Sequence, residues 1–190
     1  MKKYVLLLVF FSLYFYAAFS QESNIEIKDG THLEYLYDLH GQKRVIKFDL
    51  MMELDTLKIE WNLSGLRGTY ALSSLALNRG NKLYNKQAVP FQTILLNEDE
   101  TVCLISRSAY QNLIKTNQFI YDETTYMLDT LQANYNSFLE LNNKKLPVLH
   151  VKTRVDETEM WILKNPDFPL ICKLDLNPLG INYSLIVFEN

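Results

Sequence analysis

Few residues of this chain are of the types that bind metals or carry out acid-base chemistry. Its three histidines, His32, His40 and His150, form no spaced pair with one another or with a cysteine. His32 and Glu34 would share one face of a strand, which would supply two possible ligands of a zinc site. Tetrahedral zinc sites need three or four ligands, and no such set is visible. We therefore predict no metal site and no cofactor.

The patterns of nucleophilic catalysis are also missing. The sequence has no Gly-x-Ser-x-Gly motif, and a helix cap is sufficient explanation for Ser73 and Ser74. Cys103 with His150 is a conceivable thiolate pair, but the apolar neighbours of the cysteine are expected to raise its thiol pKa. We predict no catalytic residue. A hydrolase without a recognisable motif is the third of our functional hypotheses.

The only two cysteines, Cys103 and Cys172, leave two alternatives open. In an oxidising compartment a disulfide between them would close a loop of about 70 residues, worth about 4 kcal/mol of stability. Each cysteine also lies within an apolar stretch, which favours two buried free thiols.

The N-terminus has the features of an export signal. Lys2 and Lys3 precede an uncharged apolar run, and Ala18 and Ser20 are small residues before an expected cleavage at Gln21. We predict that residues 1–20 are a signal peptide and that the mature protein is periplasmic or secreted. A membrane anchor is the alternative, because the run is only slightly shorter than the roughly 20 residues that span a bilayer. No later stretch is long and apolar enough to span one.

Residues 21–190 are expected to form one domain, since their number fits a single compact core. The formal net charge of the whole chain is −3, and loss of the two N-terminal lysines makes it more negative. Because binding to phosphates needs a basic face and no cluster of Lys and Arg supplies one, we predict that nucleic acid is not a partner.

Alternation of apolar and polar residues is the strongest structural signal. It predicts strands over 33–39, 46–54, 57–63 and 69–72, and the third alternates without an error. A short helix is predicted at 74–80, capped by Ser74 and ended by a left-handed Gly80. A strand at 101–105 then leads to the best helix candidate, which Ser106 caps.

The second half of the chain returns to strands, which we predict at 119–122, 124–129, 137–141, 147–155, 159–163, 170–174 and 181–188. Two prolines between 164 and 169 favour a hairpin loop there. The predicted fold class is mainly β (α+β), an antiparallel curved sheet or half-open β-barrel with one or two short helices.

The stretch from Glu159 to Asp175, EMWILKNPDFPLICKLD, resembles the closing hairpin of uncharacterised secreted proteins of Bacteroides-like bacteria. The strand Arg67-Gly68-Thr69-Tyr70 and the segment from Asp99 to Ser106 look like parts of the same family. The order of a Trp-containing strand, a Pro-containing loop and an apolar strand is similar to the end of periplasmic lipoprotein carriers. That resemblance implies a half-open barrel around a helix that holds acyl chains in its concave face. In such hosts Asp-Thr before an aliphatic residue, as at Thr56 and Thr130, resembles an O-glycan acceptor.

Five aromatic residues fall on the apolar faces of the first four predicted strands: Tyr35, Tyr37, Phe48, Trp61 and Tyr70. If these strands pair in order, the five side chains line one continuous surface. Such a surface is either a packed core under the helix at 106–115 or the wall of an apolar groove. Our first hypothesis is an exported, non-enzymatic protein that binds an apolar small molecule or a lipidated protein through these residues. The alternative is an envelope or surface interaction module with a filled core.

Overall fold

A computed structural model of the chain describes residues 25–86, 88–129, 137–141 and 144–190. Within these ranges there are fourteen strands and two helices. The strands are β1 His32–Leu39, β2 Gln42–Glu53, β3 Thr56–Leu63, β4 Leu66–Leu72, β5 Lys82–Leu83, β6 Thr93–Leu95, β7 Glu100–Thr101, β8 Gln118–Tyr121, β9 Thr124–Leu128, β10 Ser137–Leu141, β11 Lys144–Thr153, β12 Glu159–Leu163, β13 Ile171–Asp175 and β14 Ile181–Glu189. The helices are α1 Ser74–Arg79 and α2 Arg107–Thr116. The predicted signal peptide and Thr130 lie outside the described residues.

Twelve of the strands form one sheet, in the order β6-β4-β3-β2-β1-β14-β13-β12-β11-β9-β8, with β10 beside β11. The sheet is curved and does not close, so the predicted mainly β fold with a curved open sheet is confirmed. Pairing of β1 with β14 brings the two ends of the described chain together. Strands β5 and β7 form a separate pair.

One pairing in the large sheet is parallel, between β4 and β6, where the prediction was of antiparallel strands. The chain leaves β4, passes through α1 and β5, and returns to the same edge in the same direction. A connection of this length is what a parallel pair requires, whereas a tight turn joins only antiparallel strands. The sheet is therefore mixed, and β6 was not predicted.

The first four strands follow the predicted alternation closely. In β3 the side chains of Leu57, Ile59 and Trp61 are buried, while the residues between them are more exposed. Tight turns at His40-Gly41 and Ser64-Gly65 join β1 to β2 and β3 to β4, and all four turn residues have positive φ. Turns of that hand match the twist of paired strands and therefore set the register of both hairpins.

Helix α1 begins and ends differently from the prediction. Its N-cap is Ser73, whose side chain accepts a hydrogen bond from the backbone N–H of Ala76, and Ser74 is the first helical residue. Gly80 is not left-handed, since its φ is −49°. A Cβ there would lie 2.7 Å from the Ala76 carbonyl and from a methyl group of Thr101. Glycine is needed at this position for close approach and not for its backbone conformation.

Helix α2 has the predicted cap, because the Ser106 side chain accepts a hydrogen bond from the N–H of Ala109. The helix ends at Asn117, which adopts the left-handed conformation at φ 57°. Its main neighbours are β8 and α1. Ala109, Tyr110 and Leu113 of α2 are buried in the same apolar core as the aromatic residues of β1–β4.

The strand predicted over 101–105 is wrong beyond Thr101. Cys103 has a φ of 50°, which ends the extended conformation, and the Thr101 hydroxyl donates to the Leu104 carbonyl to close a turn. Leu104 then makes an isolated bridge to Leu170. The segment is apolar because it is buried and not because it is a strand.

The predicted hairpins of the second half are present, with β8 paired to β9, β10 to β11 and β12 to β13.

Other residues considered in the sequence analysis can now be placed. Cys103 and Cys172 are both buried free thiols, which is the second of the two alternatives for this pair. Thr56, the other candidate glycan acceptor, is half-buried at the start of β3. Among the described residues, no helix has the length and apolar character needed to cross a membrane.

Candidate functional site

A cavity of about 580 Å³ lies against one face of β1–β4, at the end of the sheet where the β1–β2 and β3–β4 turns are found. Its opposite wall is formed by residues 83–86 and 88–90, and the start of β14 with Val102 and Cys103 completes it. A second cavity of about 460 Å³, beside α2, is lined mainly by polar side chains such as Ser108, Asn112 and Gln118. The first is the better candidate for a ligand site because specific small-molecule sites are mostly apolar.

The aromatic side chains of successive strands form the floor of this cavity. Strands β1–β4 pair in order, and Phe48 of β2 lies directly opposite Trp61 of β3. On one side the Tyr37 ring lies 4.9 Å from the ring of Tyr183. On the other side Tyr70 lies 6.5 Å from Trp61. The predicted continuous aromatic surface is therefore formed, because the pairing order places one aromatic residue beside the next.

Four of the five side chains predicted to contact a ligand line the cavity: Tyr37, Phe48, Trp61 and Tyr70. Tyr35 does not. It is fully buried beneath the others, with its ring 5.7 Å from Phe48 and 5.6 Å from Tyr183 in edge-to-face contacts. Tyr35 thus supports the wall from within the core.

The indole of Trp61 lies over the backbone of Gly68, its cross-strand neighbour. A Cβ added at Gly68 would come within 2.7 Å of indole atom Cζ2 and 2.8 Å of Nε1. Glycine is therefore what allows the ring to lie so close to β4. The Trp61 Nε1 atom is buried and has no hydrogen-bond partner within the described parts of the chain.

The segment that forms the opposite wall is anchored at both ends. At its start the N–H of Tyr84 donates to the carbonyl of Thr101, and the N–H of Leu83 donates to the carboxylate of Asp122. At its end the N–H of Phe91 donates to the Arg67 carbonyl of β4. The side chain of Tyr84 contacts the cavity floor, because its ring lies 5.4 Å from that of Tyr70.

The interior of the cavity is apolar and uncharged, and its polar residues are at the edge. Burial raises the pKa of the Tyr37 and Tyr183 phenols well above their usual range, and it also raises the pKa of Tyr70 and Cys103. These groups stay neutral at physiological pH. The most exposed polar residues of the lining are His40, Gln42, Arg44, Asn85 and Lys86, which mark the mouth.

The sequence analysis missed Arg44, Tyr84 and Lys86. Arg44 had a detectable signal, because it continues the alternation of Ile46 and Phe48 and so places a charge on the apolar face of β2. Tyr84 and Lys86 lie in a segment without periodicity. Nothing in their local sequence shows that it folds back over the sheet.

The histidines considered for chemistry lie elsewhere or at the mouth. His32 Nδ1 lies 2.6 Å from a carboxylate oxygen of Asp49, and its Nε2 lies 3.4 Å from Glu34. His150 stacks on Trp161, and its Nε2 lies 3.1 Å from Glu159. These polar contacts join side chains of the same strand or of neighbouring strands. In the described part of the chain, no group of three or more His, Cys, Asp or Glu side chains is arranged to hold a metal ion.

Comparison with known proteins found no matching protein-family model, no matching curated protein and no matching solved structure. Functional inference for this chain depends on the cavity and its residues.

Proposed function

We propose that this chain is an exported, non-enzymatic binding protein that holds an apolar small molecule in the cavity between β1–β4 and residues 83–86 and 88–90. The observation that carries the proposal is a cavity of about 580 Å³ whose buried lining is aromatic and aliphatic and whose exposed lining is mostly polar. Its volume falls within the range of about 300 to 1,000 Å³ that is usual for ligand sites. Removing an apolar ligand from water into such a site is favourable by roughly 25 cal/mol for each Å² buried.

The size of the cavity supports binding over an interaction module with a filled core. Natural cores are packed at crystal-like density and contain few voids larger than a water molecule. The cavity is open at its mouth, so its apolar lining faces water, which is unfavourable. A bound apolar molecule would displace that water, and the acyl chain of a lipidated protein would do so in the same way.

Binding can be measured with Nile red, a neutral dye whose emission rises and shifts to the blue in apolar surroundings. Ala88 is half-buried in the cavity wall, so Ala88→Phe places a ring in the space that a ligand would occupy. We expect this change to weaken dye binding by about tenfold or more. Val89→Phe is the matched control, because Val89 is adjacent, exposed and outside the lining. Equal binding by both variants and the parent protein would refute the proposal.

The position of the ligand can be tested with Trp61 as a reporter. The chain has only two tryptophans, and Trp161 lies outside the cavity lining, so Trp161→Phe leaves Trp61 as the single indole. A bromoalkyl alcohol quenches nearby indoles, and we expect saturable quenching of Trp61 in this variant. Quenching that rises linearly, as in free solution, would place the alcohol elsewhere.

Export is part of the proposal and has its own test. The basic start, the apolar run and the small residues before Gln21 support cleavage after Ser20. We expect the full chain, expressed in a Gram-negative host, to be recovered from the periplasm or medium with Gln21 as its first residue. Recovery of the intact chain in the membrane fraction would instead support the anchor alternative.

A further inference from the structure

The charges at the mouth of the cavity identify the chemical class of its ligand. Among the described residues, Arg44 and Lys86 are the two Lys or Arg residues of the lining, which includes no Asp or Glu from that part of the chain. This differs from the chain as a whole, in which 22 acidic residues outnumber 19 basic ones. A site with this bias favours a negative group at the mouth.

Arg44 is placed unusually for a charged residue. It shares the inner face of β2 with Ile46 and Phe48, and it is the direct cross-strand partner of Tyr37 in the aromatic floor. Its guanidinium donates to the Gln42 side chain at 3.1 Å and forms no ion pair with any described carboxylate. The remaining donors of its planar fork are suited to a carboxylate or phosphate oxygen.

Lys86 is only loosely held on the opposite wall. Its Nζ lies 3.6 Å from a carboxylate oxygen of Glu100, and its side chain is 72% exposed. The other carboxylate oxygen of Glu100 accepts two hydrogen bonds from Asn97, which hold that acid outside the lining. An exposed pair of this kind contributes little energy, so the lysine is available to a second anion.

We propose that the ligand is a single-chain amphiphile with an anionic head group, its alkyl chain in the aromatic interior and its head group at Arg44 and Lys86. This inference rests on the proposed function and specifies its ligand. The neutral phenols of Tyr37, Tyr70 and Tyr183 add no negative charge near the head group. An alkyl carboxylate and an alkyl phosphate share the required chemistry.

The test compares ligands that have the same alkyl chain and different head groups. Dodecanoate, dodecyl phosphate, dodecanol and dodecyltrimethylammonium are used below their micellar concentrations to displace Nile red. We expect an anion to bind about tenfold more tightly than dodecanol, and the cation to bind most weakly. The preference should decrease as salt is raised, because exposed charges are screened. Comparing the two anions shows whether a carboxylate or a phosphate is preferred.

Arg44→Gln should remove most of the anion preference, measured as the ratio of dodecanoate affinity to dodecanol affinity in the same variant. Lys43→Gln is the matched control, because it removes the same charge from the neighbouring residue on the opposite face of β2, outside the lining. Lys86→Gln tests the second basic residue of the lining in the same way, and it should also reduce the anion preference. Circular dichroism verifies that each variant is folded.

The outcomes separate this inference from the proposed function. If dodecanol and the anions displace the dye equally, the cavity binds apolar chains but the anionic head group is refuted. Equal losses in Arg44→Gln and Lys43→Gln would also refute it, since the effect would then be one of net charge. If no ligand displaces the dye and the dye itself does not bind, both proposals fail.

Discussion

Replacing Gly68 with alanine tests the close contact between the Trp61 indole and β4. The added Cβ would lie 2.7 to 2.8 Å from three indole atoms and would meet no other atom as closely. Trp61 is only 3% exposed and Tyr70 lies beside it, so the open side for movement of the ring is the cavity that it lines. The substitution therefore forces the indole away from β4 and toward the cavity.

The expected magnitude follows from two opposing effects. Overpacking of a buried site costs about 1 to 3 kcal/mol. Replacing glycine with alanine at a compatible backbone position contributes about 0.4 to 1 kcal/mol of stability through the unfolded chain. In a Trp61→Phe background the fused ring that meets the Cβ is absent, so only the favourable effect should remain. We expect Gly68→Ala to be less favourable in the parent protein than in Trp61→Phe, where it should be neutral or stabilising, with a coupling equal to the overpacking cost of about 1 to 3 kcal/mol.

Urea unfolding followed by circular dichroism supplies the four free energies of this cycle, since circular dichroism does not depend on the indole that is replaced. Nile red affinity is a second reading, and we expect Gly68→Ala to weaken it only while Trp61 is present. If the destabilisation of the double variant equals the sum of the two single effects to within about 0.5 kcal/mol, the two sites are independent and the reasoning is refuted.

Two further predictions concern titratable groups. Burial lowers the pKa of His32, but its hydrogen bonds to Asp49 and Glu34 outweigh this effect and raise the pKa above 6.5. The resulting stability is fully present below the unfolded pKa and is lost as pH rises through the folded pKa, so His32→Gln should lower the melting temperature more at acidic than at alkaline pH. Equal decreases at both would contradict this. Burial raises the pKa of Cys172 to about 12 and also raises that of Cys103, so we expect iodoacetamide to label these thiols at mildly alkaline pH only after unfolding. Rapid labelling of the folded protein would be evidence against their burial.

Much of the strand structure was predictable from the sequence. Alternation in β1, β2 and β3 identified both the strands and their buried faces, because side chains of a strand point to opposite sides in turn. The cap of α2 at Ser106 was predictable for a similar reason, since a serine before a helical apolar pattern satisfies the first amides locally. Four of the cavity-lining aromatic residues were found in this way, because they lie on the apolar side of regular strands.

Most of the details that failed depend on contacts between distant segments, as at Gly80, which is set by its closeness to Thr101. The exception is the cap of α1, where two adjacent serines compete locally and Ser73 accepts the hydrogen bond from Ala76. The parallel strand β6 forms only after the chain has crossed back to β4. None of these features leaves a periodic pattern in the local sequence.

The sequence by itself determined a two-faced sheet with aromatic side chains on its buried side, since alternation is a property of each strand alone. Only the tertiary structure decided that side chains of this buried core also border a cavity. That outcome depends on residues 83–86 and 88–90, which place Tyr84 against Tyr70 and add Lys86 to the same lining as Arg44. Cavity volume arises from the distance between two walls, and that distance is fixed by hydrogen bonds between residues far apart in the chain.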